Sequence, residues 1–189
     1  MDYGKYKQAR NASWQCIIDY GINHLPVKIN TIIRQSENIK LCKNSLADML
    51  PDGKSGMTIY KNGVFYIIYN DLDSHARCRF SIAHELGHIF LGHVLVDAPE
   101  YKIFSCSNDE ESAANVFARG LLAPACILHE IGALSADQIK QVCDISYSAA
   151  SIRVERMAEL ERRNKYYLSP TERQVREQFL PFIQEIKIL

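Results

Sequence analysis

Residues 77–93, RCRFSIAHELGHIFLGH, hold three of the six histidines of this 189-residue chain. Apolar side chains recur on one side of the helix predicted here, residues 75–91, and leave a polar face opposite them. Residues four apart on a helix are rotated by only about 40°, so His84 and His88 share that face and could hold one zinc ion. Glu85, within the pattern H-E-x-x-H, suits a general base acting on water activated by the metal. The alternative is that these histidines are buried structural residues.

A catalytic zinc commonly has three protein ligands, and two residues compete for the third position. On a continuous helix the side chain of His93 would point about 180° away from His84, which predicts a capping or packing role. Glu111 is the favoured ligand, with Asn115 four residues later on the same face of a predicted helix, 109–121. Asn115 is predicted to hydrogen-bond the second ring nitrogen of a ligating histidine. Glu110 more simply favours the positive N-terminal turn of that helix.

The rest of the chain predicts a small sheet followed by helices. Asn62-Gly63, between β-branched and aromatic runs, is a strong hairpin signal and predicts antiparallel strands at 57–60 and 64–69. Helices are predicted at 5–20, 28–36, 44–50, 75–91, 109–121, 124–130, 135–142, 146–163 and 171–186. A small antiparallel sheet packed on a mainly helical body is an α+β fold.

The composition narrows the class of protein. Lys plus Arg and Asp plus Glu both number 22, so the net charge is zero and predicts neither nucleic-acid nor membrane binding. The polar N-terminus and the absence of an apolar run of about 18 residues predict a cytoplasmic protein. The six cysteines form no C-x-x-C pair, so we expect reduced thiols, most of them in the core.

Two motifs, RFSIAHELGHIFLGH and EESAANVFARGLLAP, together resemble the ImmA/IrrE family of gluzincin-type zinc metallopeptidases. The resemblance implies a zincin-like α+β fold, Zn²⁺ as cofactor, His84, His88 and Glu111 as ligands, and Glu85 as catalytic acid/base. It also implies an antirepressor: an endopeptidase that cleaves a helix-turn-helix transcriptional repressor of a phage, another mobile element or a stress regulon.

One position departs from the family pattern. Members often read E-x-E-A-N-x-F-A, whereas this chain has Ala113 at the second glutamate. If that second position supplied the ligand, the site would be broken. The four-residue spacing between Glu111 and Asn115 favours Glu111 instead.

The C-terminal part suggests a second function. We expect a metallopeptidase domain at 1–160, with a helix-turn-helix-like pair at 136–160, and a helical extension at 161–189. A DNA-binding or partner-binding regulator with an inactive or sensing metal site is the alternative reading. Its recognition helix would offer Ser148, Ser151, Arg153 and Arg156. The modest basicity of this segment argues against direct DNA binding; the pair could instead dock the substrate.

Substrate contacts are predicted on the hairpin. A hairpin strand can align an extended peptide by edge pairing, and we expect Met57, Thr58, Ile59 and Tyr60 to do so. Candidates for stabilising the oxyanion are Tyr69, His75 and Tyr101.

Overall fold

A small sheet precedes most of the helices. In the computed structural model, which describes residues 3–94, 107–167 and 169–188, the strands are β1 (Ile39–Lys43), β2 (Gly56–Lys61) and β3 (Val64–Tyr69). The helices are α1 (Tyr3–Asp19), α2 (Ile29–Gln35), α3 (Asn44–Ala47), α4 (His75–Phe90), α5 (Asn108–Leu122), α6 (Ala125–Glu130), α7 (Ala136–Cys143), α8 (Tyr147–Arg162), α9 (Pro170–Gln178) and α10 (Leu180–Ile188). This arrangement is the α+β fold that the sequence predicted.

The predicted hairpin is confirmed. β2 and β3 pair antiparallel, and their ladder ends at Lys61 opposite Val64. Between them, Asn62 and Gly63 have φ of 52° and 80°. Two successive left-handed residues give the tight turn that matches the twist of the strands, and Asn followed by Gly adopts it at the lowest cost.

The prediction of a purely antiparallel sheet is wrong. Among the described residues the strand order is β1-β3-β2, and β1 runs parallel to β3. β1 has only five residues, IKLCK, of which Ile39 alone is buried. A parallel neighbour is joined by a long connection, so no local turn signals it in the sequence.

The chain divides into two compact units. One comprises Met1–Ala9 and Ile29–Ala118, and the other comprises Arg10–Lys28 and Arg119–Leu189. Neither unit ends at residue 160, and the predicted division into 1–160 and 161–189 stays a prediction.

In the first unit, α4 packs against β2 and β3. Thr58 bonds to a side chain of α4, so the sheet face carrying Thr58 and its cross-strand neighbour Ile67 covers the helix. Ile67 and Leu86 are completely buried there. Helix α4, which carries the H-E-x-x-H pattern, therefore has one side in the core and its histidines beside the sheet.

In the second unit, the predicted helix at 171–186 is two helices. α9 is capped by Ser169, whose side chain accepts a hydrogen bond from the Glu172 amide at 3.1 Å, and Pro170 opens the helix. α9 ends at Gln178, Phe179 is its C-cap, and α10 begins at Leu180. Pro181 explains the break, because it lacks an N–H and its ring clashes with the carbonyl group four residues earlier.

Two features bear on the expectations from composition. The cysteines in the described part of the chain are free, and Cys16, Cys126 and Cys143 are buried. Of the helices that the structure describes, none is both long and apolar enough to cross a membrane.

Candidate metal centre

Helix α4 presents the two motif histidines together. Ser74 caps its first turn by accepting a hydrogen bond from the Arg77 amide. One helical turn separates His84 from His88, and their Nε2 atoms lie 3.0 Å apart. Local helical geometry alone brings these two nitrogens together, as the spacing predicted.

Helix α5 supplies the carboxylate. Its first turn is a capping box, in which Glu110 accepts from the Ser107 amide at 2.7 Å and donates its own amide to Ser107 Oγ. The following residue, Glu111, turns to the histidines: its Oε2 lies 3.2 Å from His84 Nε2, and its Oε1 lies 3.7 Å from His88 Nε2. The adjacent glutamates thus have separate tasks, one in the helix cap and one at the site.

Ala113 lies away from this carboxylate. It packs in an apolar cluster with Ala9 and Val116, which Tyr6 and Leu91 flank. A longer side chain at 113 would therefore start from the face of α5 that covers α1. The departure from the family pattern falls outside the ligand face of the helix.

The close approach of α4 and α5 depends on Gly87. A Cβ added there would lie 3.1 Å from Ala114 Cα and 3.2 Å from the Ala114 carbonyl oxygen. These distances are tighter than ordinary contacts, so only a residue without a side chain lets the two backbones meet. Gly87 lies between the histidines in α4, and Ala114 lies between Glu111 and Asn115 in α5.

Asn115 contacts the outer nitrogen of one histidine. Its Oδ1 lies 3.1 Å from His84 Nδ1. A carbonyl oxygen can only accept, so His84 carries its proton on Nδ1 and directs the lone pair of Nε2 to the site. This contact holds the His84 ring in the tautomer that a metal ion requires.

The donor set fits a metal ion. The three atoms, His84 Nε2, His88 Nε2 and a Glu111 oxygen, lie within 4.8 Å of one another. Atoms bound to a tetrahedral zinc at about 2.0–2.1 Å are separated by about 3.3 Å, and the separations here are 3.0, 3.2 and 3.7 Å. Three electron-pair donors that converge in this way could hold a metal ion.

Burial keeps both imidazoles neutral. It lowers the pKa of His84. Together with the adjacent His84 and His93 rings, burial lowers the pKa of His88 to about 3. Neutral imidazole is the form that binds metal, so the histidines need lose no proton at neutral pH. The Glu111 side chain is 45% exposed, which leaves the carboxylate side of the site accessible to solvent.

Glu85 lies under the sheet beside the histidines. It is 7% exposed, and its Oε2 accepts a hydrogen bond from Thr58 Oγ1 at 2.7 Å. Burial raises the pKa of the Glu85 carboxyl to about 7, although the Thr58 hydrogen bond opposes the change. A Cβ at Gly56 would lie 3.3 Å from Glu85 Oε1, so β2 passes directly over the carboxylate. A carboxyl group with a pKa near 7 can accept and return a proton at neutral pH.

The predicted alignment strand is β2, at the outer edge of the described sheet. It contains Met57, Thr58, Ile59 and Tyr60. Asn70 donates its amide to Ser55 O at 3.0 Å, which extends the β2–β3 ladder by one pair. With this register, odd-numbered residues of β2 bond to β3, and even-numbered ones direct their amide groups to the outer edge. The hydroxyl of Thr58 holds Glu85, a role that sequence reasoning missed because the two residues are 27 positions apart.

His93 lies closer to the site than a continuous helix would allow. α4 ends at Phe90, and Gly92 has φ of 72°, which reverses the chain. The His93 Nδ1 atom lies 3.0 Å from His88 Nδ1. The expectation that this ring points away from the motif histidines is therefore wrong. The signal in the sequence was Gly92, a residue typical of the position just after a helix.

The three candidates for stabilising the oxyanion lie at different distances from the motif histidines along the chain. His75 opens α4, nine residues before His84, which corresponds to about 13 Å along the helix axis. Tyr69 ends β3 opposite Gly56 and stays a candidate. Tyr101 lies outside the described residues.

Comparison with known proteins identifies a matching family. The model of the Peptidase_M78 family, described as an IrrE N-terminal-like domain, matches residues 34–155, about two-thirds of the chain. The matched region contains both histidines, Glu85, Glu111 and Asn115. A search of curated protein sequences found no match.

Proposed function

Because the chain belongs to the Peptidase_M78 family, whose members are peptidases, we propose that it is a zinc-dependent endopeptidase. The observation that carries the proposal is the convergence of His84, His88 and Glu111 within 4.8 Å, beside the buried carboxyl group of Glu85. Two neutral imidazoles and one carboxylate are a common ligand set of catalytic zinc sites.

The chain's own residues suit peptide hydrolysis. Zinc held by the three ligands would supply Lewis acidity, which polarises a carbonyl group and makes water more acidic. Glu85 takes the proton from the attacking water and delivers it to the leaving amine, while Thr58 holds its carboxylate in place. Asn115 keeps His84 in the metal-binding tautomer.

We propose that the substrate binds as an extended segment along β2. The outward amide groups of Thr58 and Tyr60 can pair with such a segment by strand addition. Thr58 contacts Glu85 through its side chain, so a peptide paired with its backbone lies next to the general base.

The proposed substrate is a helix-turn-helix transcriptional repressor, whose cleavage would make this chain an antirepressor. The resemblance of the two motifs to the ImmA/IrrE family supports this choice. The test is co-expression with a repressor encoded beside the gene, followed by mass mapping of the repressor fragments. A single cleavage that disappears in Glu85→Gln is expected; equal processing by the wild type and this variant would refute peptidase activity.

Adjacent glutamates provide a matched test of the metal site. Glu111→Gln replaces a ligand, whereas Glu110→Gln changes a capping residue that glutamine can replace. Zinc affinity, measured by competition with a chromogenic chelator, should fall in the first variant and stay near the wild-type value in the second. Equal affinities in all three proteins would exclude Glu111 as a ligand.

The regulator alternative finds less support in the contacts of α8. Arg153 donates to the carbonyl oxygen of Arg119, and Ser151 donates to the Tyr147 carbonyl oxygen at 3.0 Å. The Ser148 hydroxyl lies 3.1 Å from that of Ser146, the N-cap of α8. These side chains are engaged within the second unit, which favours a structural or partner-docking role for the α7–α8 pair over DNA readout.

A further inference from the structure

His93 is tied to His88 at two points. Its backbone N–H donates to the His88 carbonyl oxygen at 2.9 Å, and its ring Nδ1 lies 3.0 Å from the Nδ1 of His88. The ring centroids are 5.1 Å apart, with the planes inclined by 65°. A residue five positions after a helical histidine does not reach it by helical spacing, so another feature must bring the rings together.

That feature is the end of α4. Gly92 has φ of 72° and donates its amide to Ile89 O at 3.1 Å. With the His93 amide bonded to His88 O, this is the Schellman pattern that closes a helix. The left-handed glycine turns the chain back over the last helical turn. The next side chain, that of His93, is thereby returned to His88.

The hydrogen bond has a direction. His88 Nε2 faces His84 Nε2 at 3.0 Å and Glu111 Oε1 at 3.7 Å, so in the proposed metal site the lone pair of this nitrogen binds the ion. The one proton of the neutral His88 ring is then on Nδ1, which donates to His93 Nδ1. His93 in turn carries its own proton on Nε2.

We propose that His93 is a positioning residue that fixes the tautomer and ring orientation in which His88 binds the metal. The inference rests on the proposed metal site. With His93 in this role, each of the two histidines has an acceptor for its Nδ1 proton. Asn115 on α5 accepts from His84, and His93 after α4 accepts from His88. The His88 side chain is 5% exposed, so water is poorly placed to replace a lost acceptor.

Three substitutions at His93 distinguish the effect of a hydrogen-bond acceptor from the effects of side-chain size and polarity. His93→Asn places an amide oxygen as many bonds from the backbone as the His93 Nδ1 atom. His93→Gln has the same chemistry one bond further out, and His93→Leu has no acceptor. The measurements are the zinc dissociation constant, by chelator competition, and the melting temperature of each metal-free protein. The second measurement reports any loss of helix-cap stability.

We expect His93→Leu and His93→Gln to bind zinc about 10–100-fold more weakly than the wild type, and His93→Asn to stay within about threefold. The metal-free melting temperatures of the asparagine and glutamine variants should agree, because both carry an amide. The inference is overturned if all three variants bind zinc like the wild type, or if asparagine is as damaging as leucine. Failure of the wild type to bind zinc, or equal binding by Glu111→Gln, would instead overturn the metal site itself.

Discussion

Gly87→Ala tests whether the helix contact sets the geometry of the site. The added Cβ would lie 3.1 Å from Ala114 Cα, 3.2 Å from Ala114 O and 3.2 Å from Phe117 Cβ. Two of these three atoms belong to the backbone, so rotation of a side chain cannot relieve the contact. The substitution should push α5 away from α4, and Glu111 and Asn115 would move with it.

The size of the effect follows from those distances. Carbon atoms in ordinary contact lie about 3.5–4.0 Å apart, so α5 must move by roughly 0.5 Å. Overpacking of this kind costs about 1–3 kcal/mol, and alanine is about 1 kcal/mol better than glycine within a helix. The net loss of unfolding free energy is about 0–2 kcal/mol, or up to roughly 8 °C in melting temperature. The separations between Glu111 and the histidines should lengthen similarly, and zinc affinity should fall by about tenfold or more.

The assay compares zinc affinity with metal-free stability. Gly132→Ala is the matched control, because Gly132 has φ of 68° and a Cβ there would meet nothing within 4 Å. Alanine is strained at that φ by about 1 kcal/mol, so the control should lose stability and keep its zinc affinity. If Gly87→Ala binds zinc as tightly as this control, the helix approach does not determine the ligand geometry.

Three further changes test other features. The pKa of Glu85 is raised from 4.5 to about 7, so the folded carboxyl group binds its proton more tightly than the unfolded one and stability falls as pH rises through this window. The unfolding free energy of metal-free Glu85→Gln should therefore equal that of the wild type below pH 4.5. Above pH 7 it should exceed the wild-type value by up to about 3 kcal/mol, as urea titrations would show. Gly120→Ala, whose Cβ would lie 2.2 Å from Ser13 Oγ, should lower stability by about 1–3 kcal/mol; Ser13→Gly should recover at least half of that loss in a double-mutant cycle of thermal unfolding. Asn115→Ala should weaken zinc binding about 10–100-fold, and an unchanged chelator-competition curve would contradict its contact with His84.

Local patterns carried most of the information that could be read without coordinates. The pair His84 and His88 follows from helical periodicity, and the hairpin follows from the left-handed preference of Asn62-Gly63. Helix starts at Ser74 and Ser169 follow from side-chain capping. Each of these features involves residues within a few positions of one another, and their geometry needs no distant partner. The break before Pro181 belongs to the same class and could have been predicted from the proline alone.

Contacts between distant segments were decided by the tertiary structure. β1 pairs in parallel with β3, and no turn between them signals this pairing in the sequence. Thr58 contacts Glu85, which lies 27 residues later in the chain. The sequence favoured Glu111 by its spacing from Asn115, but its approach to the histidines depends on the meeting of Gly87 and Ala114 backbones. The sequence alone thus determined which side chains could bind a metal. Only packing decided that they converge, because helical and strand periodicity set the direction of a side chain and the fold sets its distance to the next element.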